Sequence, residues 1–193
     1  MNTPRMRSHH VILMIAACTT LPGCMPKMTI AQMKAMMPSR PKQLDALNVF
    51  VGRWAFSGEV HIAGIEEAIP MTGTSESTWD ASRWFLVGNS VMSMRGFDDS
   101  RGHETWTYDR HDQKFRSTWV DSMGSVGEGS ATFDEDSQTW TMKAVSHGAF
   151  GKSTAKGFVR LVDADTFELR WSEFALGGLM KTMEMCGTSK RRK

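Results

Sequence analysis

The chain has 193 residues, of which 40% are hydrophobic and 23% charged, and this composition fits one globular domain with a core of its own. The net charge is +2, and loss of the first 23 residues, which include Arg5 and Arg7, leaves 21 basic against 21 acidic side chains. Such a balance lacks the basic surface that nucleic-acid binding requires, so we expect no nucleic-acid partner.

The N-terminal residues predict a bacterial lipoprotein signal. Arg5 and Arg7 precede the apolar run 11–17, and small residues then lead to a cysteine. The segment Leu21–Cys24 is similar to a lipoprotein cleavage site, which makes Cys24 the expected lipid attachment site and Cys18 the alternative. The apolar run is shorter than the roughly 20 residues of a transmembrane helix. We therefore expect a chain that is anchored to a membrane and does not span it.

This signal sets the expected organisation and location. We predict a signal peptide over residues 1–23, a tether with short helices over 24–51, and a single β-barrel domain over 52–193. The expected location is the bacterial cell envelope. In a host with two membranes, Met25 after Cys24 favours the periplasmic side of the outer membrane. An ordinary secretory signal with incidental cysteines is the alternative reading.

Two short helices are predicted before the sheet. Apolar residues recur at helical spacing over 28–37, after Thr29, whose side chain is suited to an N-cap. Two prolines end this helix, and residues 42–51 have one apolar side. Gly52 is a natural stop for the second helix.

About ten strands are predicted from residue 53 onward, at a spacing of about 8–14 residues. The segment 114–122 shows the pattern, because Phe115, Ser117, Trp119 and Asp121 share one face when side chains alternate along a strand. Closing these strands into a barrel removes the exposed edges of an open sheet. The predicted fold class is therefore all-β, an antiparallel up-and-down barrel preceded by one or two short helices.

The two ends of the predicted barrel resemble the lipocalin-like calycins. The resemblance rests on Gly52-x-Trp54 at the start of the first strand and on Thr188–Arg191 at the end of the last. It implies that Trp54 closes one end of the barrel and that a basic side chain packs over its ring. Lys190 and Arg191 are both available, and we expect Arg191, because a planar guanidinium stacks better on an indole.

Four segments resemble the bacterial domain-of-unknown-function family DUF1579, whose members are taken to be calycin-like. They are Thr105–Asp109, Phe115–Met123, Gly129–Asp134 and Thr139–Met142. The resemblance runs from about Leu44 to Arg191, although Thr107 replaces the usual glycine before the Tyr-Asp pair. It implies a lipocalin-like barrel and, in some members, lipid anchoring, but no assigned reaction.

No pattern in the sequence indicates catalysis. His61, His103, His111 and His147 are scattered without a metal-ligand spacing. The strand-to-helix Gly-x-Ser-x-Gly turn of a hydrolase is absent, and Asp121 is better explained as a strand-end cap. We therefore expect no enzymatic activity, no metal and no cofactor.

A ligand pocket is the functional prediction that the sequence favours. Barrels of eight to ten strands can enclose a small hydrophobic or amphipathic ligand. The candidate ligand-binding residues are Trp79, Trp106, Tyr108, Trp119, Asp121, Trp140, Trp171 and Glu184. The same aromatic residues also suit a filled core, so an anchored interaction or structural domain is the alternative. A haem-binding barrel or an enzyme is a further alternative, with His103 or His147 as the axial haem ligand.

Overall fold

The structure, a computed structural model, describes residues 28–149 and 151–193. Cys18, Cys24 and the predicted signal peptide lie outside the described residues, so lipid attachment stays a prediction. The chain divides into two compact units, Met1–Ser39 and Arg40–Lys193. No helix in the described part of the chain is both long enough and apolar enough to cross a membrane.

The described part of the first unit contains one short helix, α1, over Ile30–Met36. Its N-terminus is fixed by a capping box. The Gln32 N–H donates to Thr29 Oγ1 over 3.2 Å, and Gln32 Oε1 accepts the Thr29 N–H over 2.8 Å. Thr29 therefore has the N-cap position that the sequence predicts.

The second unit is a closed antiparallel barrel in which every strand pairs with its sequence neighbours and β1 pairs with β10. A 3-10 helix over Lys42–Phe50, here called the plug helix, precedes it. The strands are β1 (Gly52–Ile62), β2 (Ile69–Trp79), β3 (Leu86–Met94), β4 (Ser100–Asp109), β5 (Lys114–Asp121), β6 (Val126–Asp134), β7 (Thr139–Gly148), β8 (Gly151–Asp163), β9 (Thr166–Ala175) and β10 (Met180–Arg191). The predicted all-β barrel of about ten strands is confirmed.

The plug helix fills one end of the barrel, which we call the closed end. Leu44 and Leu47 on its inner side are fully buried and pack against Trp140, which is 1% exposed. Phe115 meets Trp140 edge-on, with ring centroids 4.6 Å apart, and Phe133 stacks on it at 4.7 Å. The largest buried side chains of the barrel are therefore concentrated at this end.

The loops at one end of the barrel carry more exposed apolar side chains than those at the other. Turns at the closed end begin with aspartates whose carboxylates accept backbone N–H groups, as at Asp109 and Asp134. These hydrogen bonds hold the pKa of both carboxyls below the usual value. Loops at the opposite end, here called the mouth, carry exposed apolar side chains. These are Ile65, Phe97, Met123, Leu176 and Leu179.

Candidate functional site

The barrel contains a cavity of about 500 Å³ on the mouth side of the plug. Its floor consists of Phe50 from the plug helix, Trp54 from β1 and Phe167 from β9. The rings of Trp54 and Phe167 lie 4.2 Å apart between centroids, and those of Phe50 and Phe167 lie 5.2 Å apart. An aromatic layer therefore separates the cavity from the closed end.

Trp54 is held in this floor by the last strand. The guanidinium carbon of Arg191 lies 4.3 Å from the centroid of the Trp54 ring, which is 3% exposed. The Trp54 indole N–H donates to the backbone oxygen of Phe50 over 3.0 Å. The structure thus places Arg191 over Trp54, as the calycin resemblance implies, while Lys190 is exposed.

Three tryptophans form the apolar wall of the cavity: Trp106 on β4, Trp119 on β5 and Trp171 on β9. Glycines opposite two of them leave room for the rings. A Cβ atom on Gly127 would lie 2.1 Å from Trp119, and one on Gly157 would lie 2.6 Å from Trp171. Both separations are far shorter than any real contact. These two glycines therefore fix where the indoles lie against the barrel wall.

The deepest charged group of the cavity wall is Glu104, two residues before Trp106 on β4. A glycine lies against it, since a Cβ atom on Gly88 would lie 3.0 Å from Glu104 Cγ and 3.1 Å from its Oε1. Burial raises the pKa of the Glu104 carboxyl above the usual 4.5, and Trp106 and His103 offset part of this rise. Burial in the cavity wall therefore disfavours the ionised form of Glu104.

Two further carboxylates lie nearer the mouth. Asp121 ends β5, and its Oδ1 accepts the backbone N–H groups of Met123 and Ser125 over 2.9 and 3.0 Å. Glu173 on β9 accepts a hydrogen bond from Ser153, which is 2.7 Å from Ser146 on the neighbouring strand. Asp121 therefore both fixes the β5–β6 turn and contributes a carboxylate to the cavity wall.

The cavity brings together four of the eight ligand-binding candidates predicted from the sequence: Trp106, Trp119, Asp121 and Trp171. Tyr108 and Trp140 face inward but belong to the closed end. Tyr108 contacts Phe115 there, with ring centroids 5.1 Å apart. Trp79 lies beside the plug helix and donates its indole N–H to Asn48 Oδ1 over 2.8 Å. These three aromatic residues do not line the cavity and pack instead in or against the closed-end core.

Glu184 is the fourth candidate that does not line the cavity. It lies on the outer face of β10, opposite His61 of β1, and forms ion pairs with Lys181 and Arg170. The Lys181 hydrogen bond is the main reason that its pKa lies below the usual value. The sequence does not reveal this orientation, because both faces of β10 mix methionines with polar residues.

Sequence reasoning missed Glu104 and Glu173 as wall residues. A usable signal was present, because Glu104 alternates in phase with Trp106, and Glu173 with Trp171. The small polar wall residues carried no comparable signal, because serines are common on both faces of exposed strands. They are Ser75, Ser77, Ser117, Ser125, Ser146 and Ser189.

Among the described residues that line the cavity, none is a histidine that could bind a haem iron. His103 and His147, the predicted candidates for an axial ligand, are both exposed on the outer face. His103 Nδ1 lies 2.9 Å from Asn89 Oδ1. Within residues 28–149 and 151–193, no three His, Cys, Asp or Glu side chains are grouped closely enough to hold a metal ion.

Two solved structures share the fold of this chain. An S-type phycobiliprotein lyase, CPES, from Guillardia theta matches with a TM-score of 0.57 and 13% identity, over 86% of this chain and 98% of that one. Rv2717c from M. tuberculosis matches with a TM-score of 0.62 and 11% identity, over 80% of this chain and 100% of that one. At these identities the similarity establishes the barrel fold and nothing about its ligand.

The sequence places the chain in a family. No curated protein matches it. The family described as "Protein of unknown function (DUF1579)" matches residues 39–189, which include the end of the tether, the plug helix and nearly the whole barrel. The resemblance seen in the sequence is thereby confirmed, and the chain belongs to the DUF1579 family.

Proposed function

We propose that this protein binds a small amphipathic molecule inside its barrel while a lipid on Cys24 holds it at the bacterial cell envelope. The observation that carries the ligand-binding part is the cavity of about 500 Å³ between the aromatic floor and the mouth. Its size falls within the range of roughly 300–1,000 Å³ that is typical of small-molecule sites.

The chemistry of the wall supports an amphipathic ligand. Trp106, Trp119 and Trp171 offer large apolar surfaces, and serine hydroxyls and three carboxylates offer a few polar contacts. This combination of an apolar wall and sparse polar groups is the usual composition of a ligand pocket. Exposed apolar side chains around the mouth add a surface that an apolar molecule can contact before it enters.

The same wall argues against the alternative of a filled interaction domain. Small residues, including Gly129, Ala144, Ser146 and Ala155, line the cavity where larger side chains would close it. The closed end does have a filled aromatic core, but it is separated from the cavity by the layer of Phe50, Trp54 and Phe167. The outward position of His103 and His147 removes the geometric basis for a haem-binding barrel.

Fluorescence titration with 1-pyrenemethanol, a neutral apolar probe with one hydroxyl, tests ligand binding. Binding inside the barrel brings the probe near Trp106, Trp119 and Trp171, so we expect saturable energy transfer from tryptophan to pyrene. Ala144→Phe should abolish this signal, because Ala144 lines the cavity and is 8% exposed. Val145→Phe is the matched control, since Val145 is the next residue on β7 and faces outward.

The outcomes separate binding inside the barrel from binding to its surface. Saturable transfer in the wild type and in Val145→Phe, with loss in a folded Ala144→Phe, supports the proposal. Equal transfer in both variants would place the probe on the surface and contradict it, as would the absence of transfer in all three proteins. Circular dichroism establishes that each variant is folded.

The anchor is tested separately in the bacterial host. Labelling with a radioactive fatty acid should mark the wild-type chain and the Cys18→Ser variant, and both should sediment with membranes. Cys24→Ser should lose the label and appear in the soluble fraction. Labelling of Cys24→Ser with loss in Cys18→Ser would move the attachment site to Cys18, and an unlabelled wild type would refute lipid anchoring.

A further inference from the structure

The charged side chains that face the cavity are all acidic within the described part of the chain. Glu104, Asp121 and Glu173 line it from β4, β5 and β9. Among the described residues that line the wall, Lys143 alone is basic. Its side chain is exposed and points to the outer face of β7, where it pairs across the sheet with Ser130. A ligand in this cavity therefore meets carboxylates and no facing cation.

Glu104 is the carboxylate that the fold accommodates most specifically. It lies beside Trp106 in the wall, and a Cβ atom on Gly88 would crowd its side chain at 3.0–3.1 Å. No ion pair or hydrogen bond with a basic side chain neutralises it in the described structure. The other two carboxylates already accept hydrogen bonds, Asp121 from backbone N–H groups and Glu173 from Ser153.

The aromatic walls favour the same sign of ligand charge. The faces of indole rings attract cations, and the attraction is strongest where water is excluded. Trp106 is two residues from Glu104 on β4 and therefore on the same face of the strand. In the same way Trp119 lies two residues before Asp121, and Trp171 two residues before Glu173. The described residues hold no cluster suited to a metal ion, so an inorganic cation is not the natural partner of these carboxylates.

From these observations we infer that the ligand carries a positively charged nitrogen on an apolar body, and that this nitrogen pairs with the carboxylate of Glu104. The inference rests on the proposed function, because it names the chemical class of the molecule that the cavity binds. An organic ammonium of this kind supplies the charge that the wall lacks and an apolar surface for the three indoles. An anionic amphiphile, such as a fatty acid, would instead face three acidic side chains and no basic one among the described wall residues that point inward.

A matched series of probes tests this inference. 1-Pyrenemethylamine, 1-pyrenemethanol and 1-pyrenecarboxylate share one ring system and are respectively cationic, neutral and anionic at pH 7.5. Their affinities are measured by energy transfer from tryptophan and by calorimetry. We expect the amine to bind about tenfold or more tightly than the alcohol, and the carboxylate to bind most weakly.

The variant Glu104→Gln identifies the pairing group. It keeps the size of the side chain and removes the charge, so the amine should lose about tenfold in affinity while the alcohol changes little. Glu128→Gln is the matched control, because Glu128 belongs to the outer face of β6 and is exposed. It should leave all three affinities unchanged.

Failure of the inference differs from failure of the proposed function. If the alcohol or the carboxylate binds as tightly as the amine, or if Glu104→Gln keeps the full preference for the amine, the inference is overturned while the binding function stands. If none of the three probes binds, the proposed function fails as well. A tenfold preference for the amine that Glu104→Gln removes and Glu128→Gln preserves supports the inference.

Discussion

Arg191 covers Trp54 at the closed end of the barrel, with its guanidinium carbon 4.3 Å from the centroid of the indole ring. The same guanidinium donates to the backbone oxygens of Val51 and Val49 over 2.6 and 3.2 Å. Its Nε also donates to Asp165 Oδ1 over 2.9 Å. One side chain therefore connects the last strand, the first strand, the plug helix and the β8–β9 turn.

Replacement of Arg191 by alanine should lower the free energy of unfolding by about 2–4 kcal/mol, because a cation–π contact is lost and two carbonyls lose their donor. Arg191→Lys should recover only part of this loss, since an ammonium group lacks the planar fork. Urea denaturation measures the change, with exposed Lys190→Ala as a control expected to stay within about 0.5 kcal/mol. Equal losses in Arg191→Ala and Lys190→Ala would contradict this role.

The plug helix should contribute stability mainly through its buried leucines. Leu47 is fully buried against the aromatic core, so Leu47→Ala should lower the free energy of unfolding by about 2–5 kcal/mol. Gln43→Ala tests the exposed side of the same helix and should change stability little. Thermal and urea unfolding report both variants. A Leu47→Ala protein as stable as Gln43→Ala would mean that the barrel does not depend on its plug.

Glu104 should make the stability of the barrel depend on pH. Its folded-state pKa is raised, so between the usual value of 4.5 and the folded value the native state binds more protons than the unfolded state. Stability contributed by the neutral carboxyl is therefore present at low pH and is lost as pH rises through this window. Glu104→Gln should consequently unfold at a higher temperature than the wild type at pH 7.5.

This difference should vanish as the pH falls well below 4.5, because the wild-type carboxyl is then protonated in both states. The other carboxyls facing the cavity, Asp121 and Glu173, remain in both proteins, and so does His103 on the adjoining outer position. Their contributions therefore largely cancel in the comparison. Calorimetry at a series of pH values measures the difference in unfolding temperature between the two proteins. If the stability of Glu104→Gln relative to the wild type is lower at pH 7.5 than at pH 4, the assigned sign is wrong.

Gly127 should be coupled to Trp119. A Cβ atom at residue 127 would overlap the indole, so Gly127→Ala should lower the free energy of unfolding by about 1–3 kcal/mol. In a Trp119→Ala background the same change should cost much less, because the overlapping ring is gone. A double-mutant cycle by urea denaturation measures this coupling. Additive effects of the two substitutions would show that the glycine is not there to admit the ring.

Alternation predicted the barrel strands well, because a strand with one buried face has a clear period of two. On β5 the predicted face is the inner one, with Phe115 and Ser117 each 5% exposed. Alternation does not give the position of a residue along the barrel axis. Trp106 and Tyr108 share a face and both pack against the closed-end core, yet of the two only Trp106 also lines the cavity.

The floor of the cavity depends on contacts between distant parts of the chain, which local patterns do not contain. Phe50 comes from the plug helix, Trp54 from β1 and Phe167 from β9, and only the closure of the barrel brings these rings together. The family resemblance supplied the closing pair Trp54 and Arg191, but not the depth to which the plug fills the barrel. That depth decides which aromatic residues line the cavity.

Native mass spectrometry tests the central claim, that the barrel holds one small molecule in its cavity, most directly. With 1-pyrenemethylamine, the wild type and Val145→Phe should each show a single adduct of one probe per chain, and a folded Ala144→Phe should show none. Adducts that persist unchanged in Ala144→Phe, or their absence from all three proteins, would contradict a ligand-binding cavity.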